Sequence, residues 1–189
     1  MLGLCLALIH AAAAGDAVLV VDGVSAGALP VEEYRNWVFY ESNPILVGEE
    51  EYELQAGEGN VYAPEVLRGD DGYRMWYGGQ GRDGHDRVHL ATSDDGLRWT
   101  RIPENPVLDV DGENHVNDPS VVQVDGTYTM AFSVAPRAED DQIHMATSQD
   151  GAQWQRHGSA IALGESGAWD SYKVGRVGQL QGRAPQPSA

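Results

Sequence analysis

The side chains able to do chemistry gather around Val116-Asn117-Asp118-Pro119-Ser120. Asp118 is a carboxylate set immediately before a proline. His115 and Asn117 lie just upstream, an imidazole and an amide that can bond hydroxyl groups. Asn60 and Tyr62 stand 55 residues earlier in the corresponding places, and Glu65 follows them as a second carboxylate. Trp169 and Asp170 open a later segment that also holds Lys173, the chain's one lysine. Carboxylates crowded into one place push their pKa values apart, so one stays protonated to donate while another stays ionised to activate water. Each residue also has a plainer reading. Asp118 can cap a strand entry, and His115 can sit on a solvated loop. Glu65 can be a packed, hydrogen-bonded strand residue, and tryptophan is as often an anchor for packing as a binding surface.

These residues flank two copies of one element. Residues 63–101 lie without a gap on residues 118–156, and fifteen of the 39 aligned positions are identical. The identities include Pro64/Pro119, Tyr73/Tyr128, Asp86/Asp141, His89/His144, Asp95/Asp150, Gly96/Gly151 and Trp99/Trp154. In each copy, short runs of alternating apolar and polar residues are separated by Gly/Asp turns, which reads as strands joined by hairpins. The first copy predicts strands at Glu65–Arg68, Tyr73–Tyr77, Arg87–Thr92 and Leu97–Arg101. Repeated four-stranded antiparallel units of this length are propeller blades. The fold expected is therefore all-β, a partial β-propeller, with a β-sandwich of two meanders as the alternative. The repeated histidines His89 and His144 read as structural because both copies carry them.

Before the last strand of each copy lies a turn pattern, Thr92-x-Asp94-x-Gly96-x-x-Trp99. It recurs as Thr147-x-Gln149-x-Gly151-x-x-Trp154. The reading is a fastener in which the hydroxyl and carboxylate bond nearby amides, Gly takes a left-handed conformation and Trp packs beneath.

The remaining chain divides by composition. Residues 1–14 are apolar and end in alanines, which fits a secretory leader and a secreted or periplasmic protein. The run is too short to span a bilayer, so no membrane partner is expected once the leader is removed. Cys5, the only cysteine, lies within it, so no disulfide is expected. Residues 15–33 are a Gly/Ala/Val-rich lead-in. Trp37, Asn43, Pro44 and Leu46 fall 62 residues before Trp99, Asn105, Pro106 and Leu108, so Arg35–Leu46 reads as the closing strand of an earlier blade. A third copy begins near Gly167, and residues 177–189 read as a disordered tail. The incomplete propeller thus spans residues 34–176. Its open blade edges invite self-association, and the sequence reads as a piece of a larger propeller. The net charge of −17 opposes nucleic-acid binding. Asp109–Asn114 spaces oxygen ligands somewhat like a calcium loop. Ser120 stands where the twelfth-position Glu belongs, so a solvated acidic loop is the reading and no cofactor is expected.

Tyr62-Ala63-Pro64-Glu65-Val66 resembles the opening of the second blade in family 43 glycoside hydrolases, and Val116-Asn117-Asp118-Pro119-Ser120-Val121 resembles the opening of their third. Ala91 to Trp99 is similar to a run shared across the five-bladed furanosidases. These include arabinanases, xylosidases, levansucrase, invertase and the related mannoside phosphorylases. The resemblance implies a carbohydrate-active protein that hydrolyses glycosidic bonds in a poly- or oligosaccharide. It implies three carboxylates at the channel mouth: a base, an acid and an Asp that tunes the acid. Asp118 is similar to the tuning Asp. Asn60, Tyr62, Glu65, His115, Asn117, Trp169 and Asp170 are the expected sugar-binding residues. The family's base belongs to a first-blade Asp-Pro opening and its acid to a fourth-blade Glu, and this sequence shows neither. The position matching Asp118 in the preceding copy is Ala63. The rival reading is a non-catalytic glycan-binding or assembly module. A sialidase-like propeller is disfavoured because that chemistry needs an arginine cluster and a Tyr nucleophile.

Overall fold

The computed structural model describes residues 10–11, 17–21, 24–29, 40–109, 115–135 and 141–178. The chain separates into two compact units, residues 1–43 and 44–189. In the first, β1 (His10–Ala11), β2 (Ala17–Val21) and β3 (Val24–Leu29) form a small antiparallel sheet in that order. Most of the leader-like segment lies outside the described residues, as do residues 35–39 of the expected closing strand at Arg35–Leu46. The described part of that strand, Tyr40 to Leu46, is turn and bend.

The second unit holds the repeat. A single 3-10 turn, Glu51–Glu53, leads into a small hairpin of β4 (Leu54–Gln55) and β5 (Glu58–Gly59). The first blade follows as β6 (Val61–Gly69), β7 (Gly72–Gln80), β8 (Asp86–Ser93) and β9 (Thr100–Arg101). The second is β10 (His115–Val124), β11 (Thr127–Ala135), β12 (Gln142–Ser148) and β13 (Gln155–Ile161). Each sheet is an antiparallel meander with its strands in sequence order. The protein is all-β, built of four-stranded antiparallel propeller blades. The third copy, expected only to begin near Gly167, adds no strand among the described residues. Trp169 to Tyr172 forms turns and bends, and residues 173–178 form no strand but run against the second blade, where the Val174 amide donates to the Asp141 carbonyl at 3.0 Å and the Arg176 amide to Ser133 Oγ at 3.2 Å.

Local chemistry sets these boundaries. Asp125 and Gly126 both take positive φ, 49° and 80°, between the paired residues Val124 and Thr127. Two left-handed residues in a two-residue loop match the twist of the flanking strands. The fasteners form, but on different residues from those expected. Ser93 Oγ accepts the Gly96 amide at 2.8 Å, and Asp95 Oδ1 accepts the Leu97 and Arg98 amides at 2.9 and 2.8 Å. The second copy repeats this through Ser148, Asp150, Gly151, Ala152 and Gln153. Thr92 and Asp94 are thus replaced in the role by their neighbours Ser93 and Asp95. Because Asp95 occupies the Leu97 and Arg98 amides, the fourth strand begins at Thr100 rather than Leu97. Trp99 and Trp154 each donate an indole N–H to their own turn glycine at 3.1 Å.

The blades share one core. Trp76, fully buried on β7, donates its indole N–H to the Gly151 carbonyl of the second blade's fastener at 2.8 Å. Its ring packs on Tyr128 and edge-on to Trp154. Val88, Leu90 and Leu108 join Val116, Val121, Met130, Phe132 and Val134 around it. On the other face of the first blade, Met75, Tyr77 and Ala91 are covered by Leu46, Val61 and Trp99. Beside them lies a buried polar group. Glu53, with no exposed surface, accepts from Arg101 Nε at 2.8 Å and Nη2 at 2.8 Å, from the Tyr77 hydroxyl at 2.6 Å and from the Glu49 amide at 3.0 Å. His89, also without exposed surface, stacks on Tyr52 with ring centroids 4.7 Å apart.

Two predictions follow from this packing. Trp76→Ala removes a buried indole from both blades at once and should cost about 3–5 kcal/mol in urea unfolding. Acid should also destabilise the unit in two stages. Desolvation holds the folded His89 imidazole down at about 4 against 6.5 for a free histidine. The unfolded chain therefore takes up that proton first, and stability falls as pH drops from 6.5 towards 4, by roughly 3 kcal/mol. Glu53 is opposed by desolvation but held below its ordinary value by its hydrogen bonds to Arg101 and Tyr77, so its contribution is lost only at still lower pH. Denaturant curves at pH 7 and 5 should show the first loss in the natural protein and a much smaller one in His89→Gln, where only His144, also held down by desolvation, still contributes.

Candidate functional site

Asp118 owes its position to a backbone irregularity. The pairing of β10 with β11 shifts between Asn117 and Ser120, and the pairing of β6 with β7 shifts at the equivalent place between Tyr62 and Glu65. The residue before the proline is left-handed in both blades, with φ of 49° at Asp118 and 46° at Ala63. A bulge of this kind re-aims one side chain out of the ladder. Asp tolerates the left-handed region better than most residues. The two blades thus repeat one bend, and only the second carries a carboxylate on it.

The bend opens on a cleft of about 400 Å³ at the seam between the blades. From the first blade and its approach come Gln55, Asn60, Tyr62, Gln80 and Asp86. From the second come His115, Asn117, Asp118, Ala135 and Asp141, and the segment after β13 adds Lys173 and Arg176. Each of the three aspartates faces a cationic or imidazole partner. Asp86 Oδ2 lies 3.0 Å from His115 Nδ1, Asp141 Oδ2 2.5 Å from Lys173 Nζ, and Asp118 Oδ2 3.6 Å from Arg176 Nε. The Tyr62 hydroxyl faces both Asp86 and Asn117, and burial together with the Asp86 charge pushes its pKa far up. Asp118 is pushed above the ordinary carboxylate range, first by desolvation. Arg176 and Lys173 oppose that shift, while Asp141 and Asp86 add to it.

Among the residues picked out from sequence, Asn60, Tyr62, His115, Asn117 and Asp118 meet in this cleft. His115 and Asn117 belong to β10 rather than to a loop. Asn60 Nδ2 also donates to Gln55 Oε1 at 2.8 Å. Glu65 does not line the cleft. It is half-buried on β6, its carboxyl pushed up by burial and opposed by a hydrogen bond from Ser120 of the other blade. Trp169 is 94 % exposed and also stands outside the cleft. The Asp170 carbonyl accepts the Gly164 amide at 3.2 Å within a turn. Sequence reasoning passed over Asp86 and Asp141 although they are an identical pair in the repeat. It also missed Gln80 and Arg176. Among the described residues no group of three His, Cys, Asp or Glu side chains could hold a metal ion. Most of the calcium-like loop, residues 110–114, lies outside the described residues.

Comparison with known proteins gives the architecture a context. The family described as glycosyl hydrolases family 32 N-terminal domain matches residues 27–174. An uncharacterized protein of Mycobacterium tuberculosis is 33 % identical over 117 residues, which is 57 % of this chain and 38 % of that protein. A 1,2-beta-oligomannan phosphorylase of Thermoanaerobacter is 34 % identical over 80 residues, 40 % of this chain and 27 % of that one. Among solved structures, a glycosyl hydrolase from Bacteroides ovatus superposes with a TM-score of 0.54 at 22 % identity, covering 69 % of this chain and 42 % of the other. The beta-1,2-mannobiose phosphorylase of Listeria innocua, solved with beta-1,2-mannobiose, gives 0.56 at 17 % identity, covering 71 % and 36 %. The chain therefore spans well under half the length of these relatives. At such identities the two structures speak to the fold alone.

The left-handed bend can be tested without knowing a substrate. Asp118→Asn should leave stability within about 0.5 kcal/mol, because Asn accepts the same backbone conformation. Asp118→Val places a β-branched residue there and should cost about 1–3 kcal/mol in denaturant unfolding.

Proposed function

Because the chain belongs to the family of glycosyl hydrolases family 32 N-terminal domains, we propose that its paired blades supply the second and third blades of a five-bladed, carbohydrate-active glycoside hydrolase-like propeller. The observation that carries this reading is Asp118. A repeated bulge turns it into the seam cleft beside Asp86 and Asp141, and desolvation raises its carboxyl. Cleaving a glycosidic bond requires a proton on the leaving oxygen and an activated water at the anomeric carbon. In this reading Asp118 acts on the protonation of the acid from within a group of carboxylates. The amides and hydroxyls of Asn60, Tyr62 and Asn117 hold the sugar, and no organic cofactor takes part. The substrate class is a poly- or oligosaccharide met outside the cytoplasmic membrane.

Lys173 and Arg176 favour a second reaction at the same cleft. Two cations beside the carboxylates suit an anionic acceptor, and phosphorylases stand among the relatives. Inorganic phosphate would then take the place of water in bond cleavage.

The test is turnover of 4-nitrophenyl glycosides, β-1,2-mannobiose and α-1,5-arabinan fragments, with and without inorganic phosphate. In the complete five-bladed propeller turnover should appear and fall about 10²-fold or more in Asp118→Asn, since mis-setting the acid's protonation forfeits part of the roughly 10²–10⁴-fold that acid–base catalysis contributes. Rates that depend on phosphate select phosphorolysis. Saturable sugar binding without turnover selects a glycan-binding module. Neither turnover nor binding overturns the carbohydrate reading.

A further inference from the structure

The hydrogen bonds around Asp86 have a polarity that fixes what the cleft can offer a ligand. An ionised carboxylate only accepts. The Tyr62 hydroxyl and the His115 ring both turn to Asp86, so both must donate to it. Once Tyr62 has given its one proton to Asp86, its oxygen is left to accept, and Asn117 is the neighbour that donates to it. Asn117 Oδ1 then finds no partner of its own. His115 Nδ1 lies 3.0 Å from Asp86 Oδ2 and 3.4 Å from the Asp86 amide nitrogen. A bare Nδ1 would set its lone pair against the carboxylate at the shorter distance, so the 3.0 Å contact places the proton on Nδ1 and leaves the longer amide contact without an acceptor. In the neutral ring Nε2 is then a bare acceptor. No described residue takes that nitrogen. The His115 side chain keeps 24 % of its surface exposed and lines the cleft.

We propose that Asp86 is a positioning residue that locks His115 in the Nδ1–H tautomer, so that His115 Nε2 serves the cleft as the acceptor for a hydroxyl of the bound sugar. The inference rests on the carbohydrate reading of the cleft and deepens it. The lock crosses the blade seam, because Asp86 opens β8 and His115 opens β10. Free imidazole favours the opposite tautomer, so the carboxylate is what makes the difference. A carboxylate held on Nδ1 does the same for the histidine of a catalytic triad, where the Asn variant leaves the geometry intact and selects the wrong tautomer. Asp86→Asn should act likewise. Its amide can donate to Nδ1 and would leave the proton on Nε2, turning the acceptor into a donor.

The tautomer can be read directly from ¹⁵N NMR of the His115 ring in the whole chain. The natural protein should show the proton on Nδ1, and Asp86→Asn should move it to Nε2. β-1,2-Mannobiose and arabinotriose, titrated at millimolar concentration, should shift Nε2 with at least one of the two. Asp86→Asn should weaken that binding about tenfold, as expected for one buried hydrogen bond. Should Asp86→Asn fail to fold, His115→Gln and His115→Phe decide instead. Gln retains an acceptor and should bind within about threefold of the natural protein, whereas Phe should lose about tenfold. A proton on Nε2 in the natural protein overturns the proposal, as does an Nε2 signal untouched by both sugars. Sugar binding through His115 without turnover leaves this inference standing and removes only the reaction. Turnover with an unperturbed His115 does the reverse.

Discussion

The Trp76 indole inserted against Gly151 is the contact on which the paired blades depend. A blade is a four-stranded meander with two faces, and neither face is stable in water alone. Trp76 closes one such face by reaching from the middle of its own sheet to the turn of the next, where its N–H finds the Gly151 carbonyl. That carbonyl is available because the Ser148/Asp150 fastener holds the turn, with Gly151 in a left-handed conformation (φ 79°). A Cβ at this position would stand 2.9 Å from the Trp76 ring. Fastener, glycine and indole are therefore one device. The fastener belongs to both copies, but the indole does not, since alanine occupies the matching position, Ala131.

The cleft is a second consequence of the same seam. Hydrogen-bonding residues from the first blade, Tyr62 and Asp86, meet residues from the second, His115, Asn117 and Asp118. The apolar core at Trp76 fixes how the sheets lie, and the polar contacts at Asp86 and Tyr62 register them at the cleft. A carboxylate is then placed in the cleft by changing one side chain on a repeated backbone. The left-handed bend before Pro64 carries Ala63, and the bend before Pro119 carries Asp118. The bend costs conformational energy in both blades, but only the second gains a carboxylate from it.

How much of this was legible in the sequence depended on what repetition can reveal. The repeat, the strand order and the turn positions could be read because identities such as Gly96/Gly151 and Trp99/Trp154 mark backbone requirements. The fastener was misread by one residue. Spacing admitted Thr92 with Asp94 as well as Ser93 with Asp95, and only the second copy separates them. There Gln149 replaces the first acid, while Ser148 and Asp150 retain the second pair. Asp86 and Asp141 were visible as an identity, but identity does not say which way a side chain points. Arg176 and Gln80 belong to no shared motif, and their place in the cleft depends on how the chain turns after β13 and how β7 ends. Trp169 shows the converse: an aromatic beside cleft residues in sequence, yet turned to solvent.

Glu53 and Asp118 differ in the number of donors around them. Glu53 is wholly buried and yet held below its ordinary pKa, because Arg101, Tyr77 and the Glu49 amide all donate to it. Its charge is satisfied and structural. Asp118 is less deeply buried but raised, because its cationic partner Arg176 stands 3.6 Å away on a side chain 83 % exposed, with two further aspartates nearby. Desolvation acts on both groups in the same direction, and only the supply of donors reverses its outcome. A carboxylate that the fold buries without enough donors is one whose proton can be moved by whatever enters the cleft. By that criterion the carboxylate whose protonation is open to change is Asp118 on its bulge, whereas the charge of Glu53 is fixed by its donors.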